Sequence, residues 1–152
     1  MAPNPIDIPS FATTQLSLLY AELDAEATET ALLLSSHAPQ TLARCGLAIL
    51  NLTVSSLRTG LGGKTVVELA LDSAVTGGKD GHGRLPEHDI RAGDIVRVGD
   101  LPAGGARKKE REELKAKGVE GVVTRIGERA VWVALGKDGR EEEEVSSGRL
   151  WL

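Results

Sequence analysis

The tripeptide Gly63-Lys64-Thr65 has the residue types that end a phosphate-binding loop. Such a loop has the pattern G-x-x-x-x-G-K-[ST] and lies between a strand and a helix whose N-terminal amides bind phosphate. Here Arg58 occupies the position of the first glycine, and the alternating, β-branched segment 65–71 predicts a strand where the motif requires a helix. We therefore predict a hairpin loop whose glycines have positive φ, at positions Gly60, Gly62 and Gly63.

A second set of chemically reactive side chains lies in the glycine-rich segment 72–91, where His82 and His88 accompany Asp80 and Asp89. Imidazoles and carboxylates are zinc ligands, but a metal site needs regular elements to hold them, and this segment predicts none. The chain also lacks a nucleophile-base pair or a carboxylate pair at fixed spacing. We therefore predict no metal site and no catalytic residues, so that this chain by itself is not an enzyme.

The N-terminal part predicts a long helix after a flexible lead-in. The lead-in, residues 1–9, contains three prolines, and Ser10 is a candidate N-cap for a stalk-like helix over 10–35. Apolar residues recur along this helix every three or four positions and form one stripe, which is longer than a small barrel can cover. The stripe comprises Leu16, Leu19, Tyr20, Leu23, Ala27, Ala31 and Leu34.

The remainder, residues 40–152, predicts short strands joined by glycine-rich turns. The strand patterns cover 47–57, 65–71, 92–98, 118–127 and 129–135. A highly charged helical insertion, residues 104–117, interrupts them. The predicted fold class is mainly β with one long N-terminal helix, in which a small closed or partly open β-barrel carries a helical insertion.

Charge is unevenly distributed along the chain. The total is −4, from 18 basic and 22 acidic residues. Residues 1–35 contain five acidic and no basic residues, so the rest of the chain carries 18 basic against 17 acidic ones, a balance of +1. A locally basic barrel suggests a polyanionic partner. The insertion has two interpretations, a solvated helix with Glu to Lys or Arg pairs and a basic prong that reaches nucleic acid.

Cysteine content and hydropathy limit the cellular locations that we expect for this protein. The single cysteine, Cys45, excludes an internal disulfide framework and a cysteine-based zinc site. The N-terminus lacks the features of a secretory signal, and no apolar stretch has the length of a membrane span. We therefore expect a soluble protein of the cytoplasm, the nucleus or both, with no membrane partner. The apolar ending RLWL suggests a piece of a longer protein.

Several segments, taken in order, are similar to one helicase family. They are the first helix after Phe11, then GLAILNLTVSSLRTGLGGKTVVEL, AGDIVRV, GVEGVVTRI and RLWL. Together they resemble the N-terminal region of the immunoglobulin-mu-binding-protein type helicases, the DNA helicase A group of Upf-like superfamily-one helicases. The resemblance covers nearly the whole chain, and LTVSSLRTGLGGKT combined with GVEGVVTR is its most specific part.

The resemblance implies the place of this chain in a longer protein. In such helicases the first long helix is half of a stalk, the barrel is the accessory 1B domain, and a second stalk helix and an ATP-hydrolysing core follow. The chain itself has no Walker motif, so it should bind no cofactor, whereas the parent protein should use ATP and Mg²⁺ for unwinding. Without its stalk partner, the first helix should fray or self-associate through its stripe.

The leading functional hypothesis is a non-catalytic accessory or regulatory region that binds single-stranded DNA or RNA weakly and contacts its own helicase core. Binding through phosphates is salt-dependent and insensitive to base sequence, and the four aromatic residues predict no base-stacking platform. The candidate contacts are Arg58, Lys64, Arg97, Arg107, Lys108, Lys109, Arg125 and Arg129. The alternative is a protein-protein interaction barrel that docks a ribosomal or processing factor.

Overall fold

In a computed structural model the chain divides into two units, Met1–Ala38 and Pro39–Leu152. The structure describes residues 5–77, 83–102, 106–136 and 150–151. The first unit contains one helix, α1 (Ile8–Ser36). The second unit contains the β-strands.

Helix α1 begins earlier than predicted. Asp7 is the N-cap, since its Oδ2 accepts a hydrogen bond of 3.2 Å from the amide of Ser10. Pro9 lies in the first turn, where a helix needs no amide donor. The prediction of Ser10 as the cap is therefore wrong, and the predicted lead-in 1–9 includes the first residues of the helix.

No residue of α1 is buried. The exposed fractions of the predicted stripe include 52% at Leu16, 59% at Leu19 and 61% at Leu23. Leu18 is also 59% exposed and lies about half a turn from Leu16 at 3.6 residues per turn, so apolar side chains occupy more than one face. In the described part of the chain, no helix combines the length and the apolar character needed to cross a membrane.

The second unit is a small antiparallel barrel. Its helices and strands are α2 (Pro39–Arg44), β1 (Leu52–Thr59), β2 (Thr65–Leu71), α3 (Ser73–Thr76), β3 (Ile95–Asp100), α4 (Lys108–Ala116), β4 (Val119–Ile126), β5 (Ala130–Leu135) and β6 (Leu150–Trp151). Five longer strands pair in the order β1-β2-β5-β4-β3, and the two-residue β6 pairs with β3 and β1 and completes the ring. The predicted fold class, mainly β with a long helix, a barrel and a helical insertion, is confirmed.

The strand order assigns the connections to two ends of the barrel. Because all paired strands are antiparallel, the β1–β2 and β3–β4 connections lie at the same end. We call it the α4 end, since α4 belongs to the second of these connections. The β2–β3 and β4–β5 connections lie at the opposite end, which we call the loop end.

Alternation along the strands fills the barrel with aliphatic side chains. The most buried large side chains, at most 1% exposed, are Ile49, Leu52, Val67, Leu69, Val98, Val123, Val131, Val133 and Leu135. Within the described residues no polar or charged residue is fully buried. The barrel is therefore filled by its own side chains and offers no internal ligand site.

The first strand is shorter than predicted. The period-two pattern from Leu47 predicted a strand over 47–57, but β1 begins at Leu52. Asn51 precedes it with φ +58°, a left-handed conformation that asparagine tolerates and a strand does not contain. The Asn51 carbonyl accepts a 2.8 Å hydrogen bond from the amide of Asp72, so this bend is tied to the end of β2.

The glycine-rich connection between β1 and β2 is a hairpin loop, as predicted. A 3₁₀ turn spans Leu61–Gly63, in which Gly62 and Gly63 have φ +74° and +73°. The prediction for Gly60 is wrong, because its φ is −93°; a Cβ there would lie 2.6 Å from a methyl carbon of Val66. A strand begins at Thr65 where a phosphate-binding loop requires a helix, so this segment is not an ATP site.

Candidate nucleic-acid interface

A β-bulge in β4 decides where Arg125 points. Val123 pairs with Val133 and Arg125 pairs with Trp132, so β4 has one extra residue, Thr124, between them. Val123 faces the core, and regular alternation would also direct Arg125 inward. With the bulge, Thr124 and Arg125 are both exposed on the outer face.

A second bulge acts in the same way in β1. Val54 pairs with Leu69, while Ser56 pairs with Glu68, so Ser55 is the extra residue. Regular alternation from the buried Leu52 would direct Ser56 and Arg58 into the core. The bulge turns both side chains outward, onto the same face as Arg125.

These shifts align four side chains across four strands. Ser56 pairs with Glu68, Glu68 with Trp132, and Trp132 with Arg125, which places one residue each on β1, β2, β5 and β4. We call this line the outer row. Two of the predicted contacts lie against the middle of this row. Arg58 contacts Glu68, and Arg125 contacts Trp132.

Glu68 is the central acceptor of the outer row. Its Oε2 accepts hydrogen bonds from Ser56 Oγ at 2.9 Å, Arg58 Nη2 at 3.2 Å and Trp132 Nε1 at 3.2 Å, and its Oε1 accepts one from Ser55 Oγ at 3.3 Å. The hydrogen bond from Ser56, followed by those from Arg58, Trp132 and Ser55, lowers the pKa of Glu68, although partial burial opposes this shift. The carboxylate is therefore held in its charged form, and it neutralises part of the charge of Arg58.

Arg125 covers the ring of Trp132. The guanidinium carbon lies 4.9 Å from the ring centroid, within the range of a cation–π interaction. Trp132 is half-buried, and a Cβ at Gly127 would lie 3.2 Å from its Cζ3, so a larger residue there would require the ring to shift by a few tenths of an ångström. The ring is thus held by Glu68 at its edge and by Arg125 above it.

We expect acid to weaken the outer row through protonation of Glu68. Because the folded-state pKa is lowered, the stability contributed by this group is fully present above the ordinary glutamate value of about 4.3 and is lost as pH falls through the folded pKa. At pH 7, Glu68→Gln should cost about 1 kcal/mol, and this difference from wild type should shrink below about pH 4. Urea denaturation followed by tryptophan emission at several pH values measures it.

Glu120→Gln is the matched control for this experiment. Glu120 pairs with Arg97 at 3.7 Å on the same outer face, and its side chain is 65% exposed. Such an exposed pair contributes about 0.5 kcal/mol or less, so this substitution should change stability little. A Glu68→Gln difference that stays constant from pH 7 to pH 3 would contradict the role given to the charged carboxylate.

The other predicted contacts do not form one patch. Lys64 and the group Arg107, Lys108 and Lys109 are exposed at the α4 end, whereas Arg129 lies in the β4–β5 turn at the loop end. Lys108 pairs with Glu112 at 3.9 Å along α4, which agrees with the solvated-helix interpretation for that residue. The eight predicted residues are therefore divided among the α4 end, the outer face and the loop end.

Glu68, Trp132 and Ser56 were not among the predicted site residues. A signal was present for Glu68, since it is the one charged residue within the alternating apolar segment TVVELAL and must lie on its outer face. No sequence signal connected it to Trp132, because the two residues meet only through the pairing of β2 with β5.

The segment that contains His88 is held at the loop end. The amide of Leu85 donates to the Glu128 carbonyl at 2.8 Å, and that of Asp89 donates to the Gly46 carbonyl at 2.9 Å. Asp80 and His82 lie outside the described residues. Among the described ones, no group of three or more His, Cys, Asp or Glu side chains is arranged to hold a metal ion.

Comparisons with known proteins agree on one relationship. The family model described as "Helicase SMUBP-2/HCS1, 1B domain" matches residues 12–149. The chain is 32% identical, over 141 residues, to the DNA polymerase alpha-associated DNA helicase A of Schizosaccharomyces pombe. This match covers 92% of the chain but 20% of the relative, so the chain spans about a fifth of the length of that protein.

Proposed function

Because the chain belongs to the SMUBP-2/HCS1 1B-domain family of helicases, we propose that it is a non-catalytic region that binds single-stranded DNA or RNA beside a helicase core. The observation that supports binding is the group of exposed cations at the α4 end, Lys64, Arg107 and Lys109. None of the three forms an ion pair with another residue that the structure describes. Their charges are therefore available to phosphates.

The chemistry of this contact is electrostatic. Each phosphate neutralised by a lysine or arginine releases counterions, so the logarithm of the affinity falls with the logarithm of salt by about 0.7 per contact on a single strand. Arg58 and Arg97 are weaker candidates, because each already forms an ion pair. Arg58 pairs with Glu68 at 3.2 Å, and Arg97 pairs with Glu120 at 3.7 Å. We expect the affinity to be low at physiological salt and to rise as the salt concentration falls.

The test is fluorescence anisotropy of a labelled single strand between about 25 and 200 mM KCl. Replacing Lys64, Arg107 and Lys109 together by alanine should reduce the salt slope by about 2 and the affinity at low salt by about 10-fold or more. Arg84→Ala is the control, because Arg84 is exposed and is adjacent to Leu85, whose amide bonds to Glu128 in the β4–β5 turn at the opposite end of the barrel. Absence of binding at low salt, or binding that does not respond to salt, would exclude the proposal.

The parent protein is proposed to carry the catalytic activity. The fission yeast relative is named as a DNA helicase, and most of that relative lies outside the region matched by this chain. We propose that ATP and Mg²⁺ bind a motor core outside these 152 residues and that the barrel contacts that core. The proposed location is the cytoplasm, the nucleus or both.

A second candidate function is protein binding through the barrel. Ile95 and Val122 pair across β3 and β4 on the outer face, and their side chains are 71% and 39% exposed. The adjacent positions on β5 and β2 are also apolar, Ala134 and Val66. An apolar row of this kind suits a protein surface better than a phosphate backbone. Capture of a ribosomal or processing factor that survives nuclease and is lost in Ile95→Lys would support this function.

A further inference from the structure

We infer that Arg125, held over Trp132, stacks one unpaired nucleobase, so that the outer row recognises single strands by a base and not only by phosphates. This inference rests on the proposed nucleic-acid binding and specifies the ligand of one part of that surface. It concerns a site at which phosphate contact alone was predicted from the sequence.

The first support is the fixed position of the indole. Trp132 donates its Nε1 proton to Glu68 Oε2 at 3.2 Å, and its six-membered ring lies beside Gly127. Its backbone carbonyl accepts a 3.1 Å hydrogen bond from Thr124 Oγ1 in the bulge. The ring therefore provides a rigid support, and little conformational freedom remains to be lost when a ligand binds.

The second support is the exposed guanidinium above this ring. The guanidinium carbon of Arg125 lies 4.9 Å from the ring centroid, and Arg125 is exposed to solvent. Within the described residues it forms no ion pair, in contrast to Arg58 and Arg97. A planar guanidinium that rests on an aromatic ring offers its second face for stacking, and nucleobases stack on such faces.

An unpaired base is the ligand that suits this site. The Glu68 carboxylate at the edge of Trp132 is bonded to Arg58 as well as to the indole, so its charge is already neutralised and the selection depends on the stacking face of Arg125. Bases in a duplex already stack on both faces, so only an unpaired base has a free face for Arg125.

The experiment compares two 20-nucleotide probes of equal charge, oligothymidine and an abasic strand that has the same phosphates. Arg125→Lys keeps the charge but loses the stacking plane, so it should weaken oligothymidine binding by about 5-fold or more and abasic binding by less than about 2-fold. Trp132→Leu should have the same selective effect, because Arg125 then loses its support. Arg91→Lys is the matched control and should change neither affinity, because Arg91 is an exposed arginine that lies over no aromatic ring among the described residues.

The outcomes separate this inference from the proposed function. If wild-type protein binds neither probe at low salt, the proposed function fails and the inference fails with it. If both probes bind and Arg125→Lys weakens them equally, or weakens neither, the proposed function stands and the stacking site is overturned. A melting temperature within about 4 °C of the wild-type value verifies that each variant is folded, since this difference corresponds to about 1 kcal/mol in the free energy of unfolding.

Discussion

Gly121→Ala should lower the free energy of unfolding of the barrel by about 2 kcal/mol or more, with a fall of roughly 8 °C in the melting temperature. Gly121 is buried in β4 and faces the core. A Cβ at this position would lie 2.5 Å from Val133 Cγ1 and 2.9 Å from the carbonyl oxygen of Ala134. Because the second contact is to backbone, no rotamer change relieves it, and β4 must move away from β5.

Urea or thermal denaturation measures this effect, and Val122→Ala is the matched control. Val122 is the next residue of the same strand, but it faces outward with 39% exposure, so its truncation should cost less than about 1 kcal/mol. A Gly121→Ala protein as stable as wild type would contradict the close approach of β4 to β5. The same strand pair carries Arg125 and Trp132, so we also expect the variant to bind single strands less well.

The second large effect is expected in α1. Leu19, Tyr20 and Leu23 have exposed fractions of 59%, 67% and 61% on adjacent turns, an apolar surface that favours association in water. We expect the chain alone either to self-associate through residues 16–34 or to fray there. Sedimentation velocity over a range of concentrations detects the first outcome, and fast amide exchange in α1 detects the second.

Replacing Leu19 and Leu23 together by lysine should convert any oligomer to monomer. At a given protein concentration, the sedimenting mass should then fall to that of one chain. The control replaces Thr14 and Thr28 by lysine. At 3.6 residues per turn these two positions lie off the stripe, and the two lysines add the same charge as in the test variant. It should leave association unchanged. A monodisperse wild-type monomer with full protection of α1 would count against this prediction.

Local features of the fold were predictable from single segments. The long helix, the hairpin loop with positive φ at Gly62 and Gly63, and the charged helical insertion all follow from periodicity, turn residues and composition. The errors at Ser10 and Gly60 are also local in kind. Asp7 competes with Ser10 for the same cap, and Gly60 is required by the neighbouring Val66 and not by its own φ.

The outer row was not predictable in the same way. Strict alternation through β1 and β4 directs Ser56, Arg58 and Arg125 into the core, and two extra residues reverse that direction. A bulge is recognised from the pairing of two strands, which a single strand does not encode. Arg58 and Arg125 are exposed, and their role as contacts stays a prediction, whereas their partners Glu68 and Trp132 were not predicted.

By itself, the sequence determined that the chain has a long helix and a β-barrel of the helicase 1B type, because strands, helices and turns depend mainly on nearby residues and the family motifs are contiguous. The tertiary structure alone decided what Arg58 and Arg125 contact. Their partners lie on other strands, and the bulges, the closeness of Gly121 to β5 and the register of β2 with β5 arise only when the strands pair. The same pairing shows that Lys64, at the end of a loop that is not an ATP site, lies at the opposite end of the barrel from Arg129.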